Sequence, residues 1–123
     1  MSAKPLIKLL QISDTHCYAH DSSDLEWSQT PIYPNQTLQS VLEHLALQAH
    51  DYEALIISGD LAQQEIAPTY RGLNQRLLSF PLPVHVVPGN HDAVDILQAH
   101  LDTRFWQAQL IHYGVWHGVL LDT

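Results

Sequence analysis

Three short apolar segments of this sequence each end in a small cluster of polar residues. The segments are Leu6–Ile12, Ala54–Ser58 and Pro83–Val87, and the clusters that follow them are Asp14-Thr15-His16, Gly59-Asp60 and Gly89-Asn90-His91-Asp92. Short apolar runs that stop at such residues are typical of buried β-strands. The sequence therefore predicts three strands, each followed directly by side chains that can bind a ligand.

The segments between these strands have the spacing of amphipathic helices. Asn35 is a suitable helix cap, and apolar residues follow it at helical intervals, namely Leu38, Val41, Leu42, Leu45 and Ala49. Pro68 suits the first turn of a second helix, in which Tyr70, Leu73 and Leu77 share one face. The remaining elements predicted are a helix over Asp92–Leu101 and two strands, Gln109–Tyr113 and Val115–Leu121, joined at Gly114.

Alternation of strands and helices predicts an α/β domain with a parallel sheet and right-handed crossovers. In open α/β sheets, ligands bind beyond the carboxyl ends of the strands, so the three polar clusters are expected to meet at one edge. The polar stretch Thr15–Pro34 predicts a long loop, and loops of this length are usually functional. Its aromatic residues Trp27 and Tyr33 could stack on a ring of a ligand. The 123 residues fit one domain.

Charge and composition exclude several classes of protein. The net charge is −8, with 5 Lys and Arg against 13 Asp and Glu, which argues against a protein that coats nucleic acid. Cys17 is the single cysteine, so there is no intrachain disulfide. No apolar run approaches the roughly 18 residues that span a bilayer. The segment that begins at Met1–Pro5 lacks the longer apolar stretch and the small-residue cleavage site of a signal peptide. We expect no membrane or nucleic-acid partner, and a cytoplasmic location.

The polar clusters contain the ligand types of a transition-metal site. Asp14 and His16 offer a carboxylate and an imidazole, which suit Zn, Mn or Fe. Asp60 has two oxygens and can bridge two ions, and Asn90 offers an amide oxygen. Two metal ions roughly 3.5–4 Å apart are suited to hydrolysis of phosphate esters, with a bridging hydroxide as the attacking group. Each cluster alone has a structural explanation, since Asp60 can cap a turn and Gly89-Asn90 can form one, but three coincidences at three successive strand ends favour a metal site.

The three clusters, read as Asp14-Thr15-His16, Gly59-Asp60-Leu61-Ala62-Gln63 and Gly89-Asn90-His91-Asp92, resemble the first three motif blocks of calcineurin-like metallophosphoesterases. The resemblance implies the N-terminal half of a four-layer αββα sandwich, with a mostly parallel sheet and crossover helices. Gln63 stands where many relatives have an acid, which makes the chain most similar to the bacterial class III cyclic nucleotide phosphodiesterase branch.

The resemblance also implies a role for each site residue. Asp14 and His16 would bind a first divalent ion, Asp60 would bridge to a second, and Asn90 would bind the second. His91 would protonate the leaving group, with Asp92 holding its ring. The implied cofactors are two divalent ions (Mn, Fe or Zn). The implied substrate is a small phosphodiester, with a cyclic nucleotide as the first choice. A phosphomonoesterase or a lipid-linked pyrophosphatase would share the same motifs.

The chain departs from the family pattern in one respect. Relatives carry Gly-His and Gly-His-Xaa-His blocks in a second half, and no Gly-His dipeptide occurs here. We expect a single domain over residues 1–123, truncated at its C-terminus, with His112 and His117 as ordinary strand residues. The alternative function is therefore a catalytically inactive fragment or metal-binding remnant. One uncovered sheet face would favour self-association of the chain.

Overall fold

A computed structural model describes residues 6–121 of the chain. Its strands are β1 (Leu9–Ile12), β2 (Ala54–Ser58), β3 (Val84–Val87), β4 (Leu110–Tyr113) and β5 (Trp116–Val119). Its helices are α1 (Pro34–Ala46), α2 (Ala67–Leu78), α3 (Val94–His100) and α4 (Thr103–Trp106), with a 3-10 turn at Ala49–Asp51 between α1 and β2. The predicted order of strands and helices is confirmed, with one additional short helix, α4, before the last two strands.

The first three strands form a parallel sheet in the order β1-β2-β3. Leu9 pairs with Ala54 at one end of the β1–β2 ladder, and Ser58 pairs with Val87 at the far end of the β2–β3 ladder. Parallel strands need a crossover connection, and α1 and α2 supply the two crossovers. All three strands therefore run in one direction, and their carboxyl ends lie at one edge.

The core lies between this sheet and the helices. Leu55, Ile57, Val84 and Val86 have exposed fractions of 3% or less, and the helices bury one apolar stripe each against them. The helical residues in this cluster are Leu38, Leu42, Tyr70, Leu73, Leu77, Leu97 and Phe105. Burial of each such side chain contributes about 1.5–3 kcal/mol relative to exposure. The helices are thus held on the sheet by the periodic residues of the sequence.

The last two strands form a separate antiparallel hairpin with a turn at Gly114, where φ is 61°. His112 and His117 pair directly across it, with ring centroids 4.5 Å apart, so they are strand residues as predicted. The hydroxyl of Tyr113 lies 2.9 Å from Nε2 of His85 in β3, which joins the hairpin to the sheet. The hairpin exposes large apolar side chains, including Trp116 and Val119. Self-association through such residues stays a prediction.

Two expectations about helix ends are wrong. Asn35 does not cap α1, because its buried side chain bonds the backbone of Tyr18, with Oδ1 accepting from the amide and Nδ2 donating to the carbonyl at 2.8 Å each. The predicted helix Asp92–Leu101 begins at Val94 and is followed by a separate α4. The Asp102 carboxylate accepts a hydrogen bond from the Arg104 amide at 3.0 Å, which starts the new helix there.

Across residues 6–121, none of the helices is both long enough and apolar enough to cross a membrane.

Candidate metal centre

Backbone hydrogen bonds hold the three polar clusters together beyond the ends of the strands. The amide of Asp14 donates to the carbonyl of Gly59, and the amide of His16 donates to that of Asp60, each at 3.0 Å. On the other side, the amide of Gly59 donates to the carbonyl of Val87 at 2.7 Å. The loops that carry the candidate ligands are therefore fixed by the register of the sheet.

Three of the candidate ligand residues have a left-handed backbone. The φ angles are 57° for Asp14, 45° for His16 and 50° for Asp60. An L-residue in this region costs on the order of 1–3 kcal/mol and persists only where the surrounding structure holds it. Such conformations are concentrated at functional sites, and here they turn three side chains toward one point.

The structure brings Asp14, His16 and Asp60 together. One ligand atom from each lies within 4.8 Å of the others, and Nε2 of His16 is 3.5 Å from Oδ1 of Asp14. Two carboxylates and one imidazole form a donor set that suits a divalent transition metal. The side chains of His16 and Asp60 are half-buried and that of Asp14 is exposed, so an ion and a substrate could both reach the cluster.

Gln63 fixes the orientation of the His16 ring. Its Oε1 lies 2.9 Å from Nδ1 of His16. The backbone amide of Gln63 donates a hydrogen bond to the carbonyl of Cys17 at 2.8 Å. The Gln63 Oε1 can only accept, so it favours the tautomer in which Nδ1 carries the proton and the lone pair of Nε2 is left for coordination. This is the arrangement by which a second partner orients a metal-binding histidine. The sequence marked Gln63 only as a departure from other relatives, and its contact with His16 was not predicted.

We expect Gln63→Leu to lower the affinity for Mn²⁺ by about 10–100-fold, the usual cost of losing the partner of a ligating histidine. Gln63→Glu keeps an acceptor at the same place and should retain most of the affinity. Competition with a fluorescent chelator measures both constants. Gln64→Leu is the control, since that side chain accepts from the Ala19 amide and does not contact His16. Equal affinities for Gln63→Leu and the control would contradict the role given to Gln63.

Asp60 lies against the loop that follows β3. Its Oδ1 accepts a hydrogen bond from the amide of His91 at 2.9 Å. Gly89 approaches so closely that a Cβ there would lie 2.3 Å from both the backbone nitrogen and Oδ1 of Asp60. A glycine is therefore required at position 89 for the two loops to pack. These contacts fix the position of the Asp60 carboxylate.

Asn90 and His91 lie on the same loop, and both side chains are exposed. The residues on either side of Asn90, Gly89 and His91, both lie against Asp60, so the backbone at Asn90 is close to Asp60. The ring of His91 is 5.6 Å from the ring of His16, measured between centroids. Its placement next to a candidate ligand suits a group that would transfer a proton, while the roles of Asn90 and His91 stay predictions.

Asp92 was expected to hold the ring of His91, and the structure gives its carboxylate other partners. Oδ1 accepts from the Ala62 amide and the Tyr70 hydroxyl, and Oδ2 accepts from the amides of Leu61 and Gly89, at 2.8–3.0 Å. Burial raises the pKa of this carboxyl, and these four hydrogen bonds oppose the rise. Asp92 therefore joins the loop after β2 to the loop after β3, and does not orient an imidazole.

Tyr70 completes this connection. Its hydroxyl donates to Asp92 and accepts from the amide of Ala93, each at 3.0 Å, and the residue is fully buried. Burial and the neighbouring Asp92 charge raise the pKa of Tyr70. The sequence indicated only an apolar helix position at Tyr70. A buried tyrosine usually needs a hydrogen-bond partner for its hydroxyl, and this rule could have indicated that Tyr70 bonds a polar residue of the site.

The long loop after β1 contributes Trp27 and Cys17 near the site. The ring of Trp27 meets that of His16 edge-on, with centroids 6.0 Å apart. Cys17 pairs with Ala62 in an isolated parallel bridge, and burial raises the pKa of its thiol to about 11. Cys17 is 2% exposed and belongs to the hydrophobic core cluster, so it is a packing residue.

A three-stranded parallel sheet with carboxylates and an imidazole at its carboxyl edge defines an α/β protein with a candidate metal centre. The family model described as calcineurin-like phosphoesterase matches residues 7–120, and the chain therefore belongs to the calcineurin-like phosphoesterase family. The predicted fold class, the N-terminal half of the family's αββα sandwich, is confirmed. The family is one of phosphoesterases that use divalent metal ions.

The chain is similar to several bacterial phosphodiesterases. It is 29% identical over 125 residues to the 3',5'-cyclic adenosine monophosphate phosphodiesterase CpdA of Escherichia coli K12, covering 100% of this chain and 44% of that protein. It is 30% identical over 132 residues to CpdA of Haemophilus influenzae, covering 95% and 47%. It is 25% identical over 124 residues to the 3',5'-cyclic-nucleotide phosphodiesterase alr5338 of Nostoc, covering 100% and 45%. The chain spans less than half the length of these relatives.

The residues of the cluster fit the divalent ion that the family implies. Oxygen and imidazole nitrogen are the donors that Mn, Fe and Zn accept, and the hydrogen bond from Nδ1 of His16 to Gln63 leaves Nε2 free to coordinate. Asp14, His16 and Asp60 supply three protein ligands. The number and identity of the ions stay predictions.

Proposed function

We propose that this chain is the part of a phosphodiesterase that holds a metal centre, and that the enzyme hydrolyses a cyclic nucleotide. The observation that carries the proposal is the convergence of Asp14, His16 and Asp60 within 4.8 Å at the carboxyl edge of the sheet. The names of the similar bacterial proteins support the choice of a cyclic nucleotide as substrate.

Asp14, His16 and Asp60 would hold a divalent ion, and Asp60 with Asn90 would hold a second. Bound ions supply positive charge for the phosphate oxygens and lower the pKa of water enough for it to attack at neutral pH. Gln63 keeps the lone pair of His16 directed at the centre. The amide of His91 holds the Asp60 carboxylate in place.

The His91 ring would donate a proton to the oxygen that leaves phosphorus. It is exposed and stands beside His16, where a substrate could reach it, and histidine is the commonest side chain in such transfers. Asp92 would act through the backbone, because its four hydrogen bonds fix the loop that carries Asn90 and His91.

The test is hydrolysis by the protein expressed from its complete coding sequence, stripped of metal and then supplied with Mn²⁺. Cyclic AMP and bis(p-nitrophenyl) phosphate should be cleaved, p-nitrophenyl phosphate should be cleaved far more slowly, and a chelator should stop the reaction. Cleavage of the monoester without the diesters would indicate a phosphomonoesterase instead. Turnover that survives removal of the metal would refute the proposal.

A further inference from the structure

A cavity of about 320 Å³ opens beside the metal centre. It lies between the end of β1, the long loop and α1, and we call it the loop–helix cavity. Asp14, Thr15 and His16 form one wall, which it shares with the metal centre. The facing walls are apolar and consist of Leu25, Ile32, Pro34, Leu38 and Val41. Its volume is at the lower end of the roughly 300–1,000 Å³ found for sites that hold small molecules.

The apolar walls are only partly covered. Ile32 is 41% exposed and Val41 is 37% exposed, although both are large apolar residues in a cavity that also contains the Asp14 carboxylate. An apolar surface next to a few polar groups is the usual composition of a small-molecule site. The ligand that fits has a charged group for the metal side and a flat apolar group for the loop side.

The cavity is preformed by the loop's own hydrogen bonds. The amide of Leu25 donates to the carbonyl of Ile32 at 2.9 Å, and the amide of Thr37 donates to that of Tyr33 at 2.9 Å. Asn35 ties the start of the loop to the start of α1 through both of its bonds to Tyr18. A wall that is ordered before binding reduces the entropy cost of holding a ligand.

We propose that the loop–helix cavity binds the nucleobase of the substrate while its phosphate lies at the metal centre. The proposal rests on the proposed function and adds the position of the base. The side chains of Ile32 and Val41 would contact the faces of the ring, and the hydroxyls of Ser13 and Thr37 in the cavity lining would bond its ring nitrogens. Selection among nucleotides would then depend on the long loop and on α1.

The test compares a nucleotide with inorganic phosphate, which lacks both the base and the ribose. Binding of adenosine monophosphate and of inorganic phosphate to the Mn²⁺-loaded protein is measured by titration calorimetry. Val41→Phe fills the cavity and should weaken binding of the nucleotide by about tenfold, because contacts to one base contribute on the order of 1–3 kcal/mol. The affinity for inorganic phosphate should not change. Val41→Ser removes apolar wall with little risk to folding, and should weaken the nucleotide about threefold.

Ser40→Phe is the matched control, because it adds the same ring to an exposed neighbouring position of α1 and should change neither constant. The proposal is overturned if wild-type protein binds the nucleotide no tighter than phosphate, or if neither Val41 variant alters their ratio. It is also overturned if Trp27→Ala alone alters that ratio, since the base would then lie on the indole. Hydrolysis of cyclic AMP, measured in parallel on wild-type protein, tests the proposed function separately.

Discussion

Replacing Asp60 with alanine is expected to abolish metal-dependent hydrolysis, with a loss of at least about a thousandfold. Its carboxylate lies within 4.8 Å of the ligand atoms of Asp14 and His16, and it is the residue proposed to contact both ions. Loss of a residue that only hydrogen-bonds a metal ligand lowers metal affinity or activity by about 10–100-fold. Loss of a ligand shared by both ions should therefore have a larger effect. Metal content after dialysis should fall with the activity.

His91→Ala should give a different result. The ring of His91 is proposed to transfer a proton and not to bind metal, so turnover should fall by about 10²–10⁴-fold while metal content stays close to that of the wild type. Metal analysis and steady-state kinetics on the same preparations separate the two effects. Equal loss of metal in both variants would remove the distinction between the roles of Asp60 and His91.

Asp95→Ala is the control for the loss of one negative charge. Asp95 is an exposed residue in the first turn of α3, five positions after Asn90, and it is not part of the Asp14–His16–Asp60 cluster. Its removal should leave metal content and turnover unchanged. A comparable fall in this variant would mean that general electrostatic attraction, and not coordination by Asp60, holds the ions.

The candidate ligands could be predicted from the sequence because they follow buried strands. A short apolar run such as Ala54–Ser58 predicts a buried strand, and that strand has the predicted bounds in the structure. Once three strands are parallel, the residues after them must lie at one edge. Chain order and strand direction therefore bring Asp14, His16 and Asp60 to the same edge, and their left-handed backbone conformations, which were not predicted, turn the side chains toward one point.

The residues that hold the ligands could not be predicted in the same way. Gln63 bonds a histidine 47 positions earlier, and Asp92 bonds the amides of Leu61 and Ala62, which lie 31 and 30 positions before it. No local sequence period relates such pairs. The family resemblance assigned Asp92 to its neighbour His91, and the preference of asparagine for helix caps assigned Asn35 to the start of the next helix. Long-range hydrogen bonds require the sheet register first.

The close approach of Gly89 to Asp60 leads to the second large prediction. Gly89→Ala would place a Cβ 2.3 Å from the Asp60 nitrogen and Oδ1, and 3.0 Å from its Cγ. The backbone around the Asp60 nitrogen is anchored by the hydrogen bonds from Gly59 to Val87 and from His16 to the Asp60 carbonyl, so the loop after β3 and the Asp60 carboxylate must separate. Forced separations of this kind typically cost 1–3 kcal/mol of stability, and they displace a proposed ligand of both ions.

We therefore expect Gly89→Ala to lower the affinity for Mn²⁺ by at least about a hundredfold, beyond its effect on folding. Urea unfolding in the presence of a chelator measures the loss of stability without metal, and chelator competition measures the affinity of the folded protein. Gly72→Ala is the matched control, because a Cβ there would meet only the end of the Arg76 side chain at 3.9 Å. Gly72 lies within α2, where alanine is favoured over glycine by about 1 kcal/mol, so the control should be slightly more stable and bind Mn²⁺ as the wild type does. Wild-type affinity in Gly89→Ala would show that the ions do not depend on the position of the Asp60 carboxylate, and the bridging role of Asp60 would have to be abandoned.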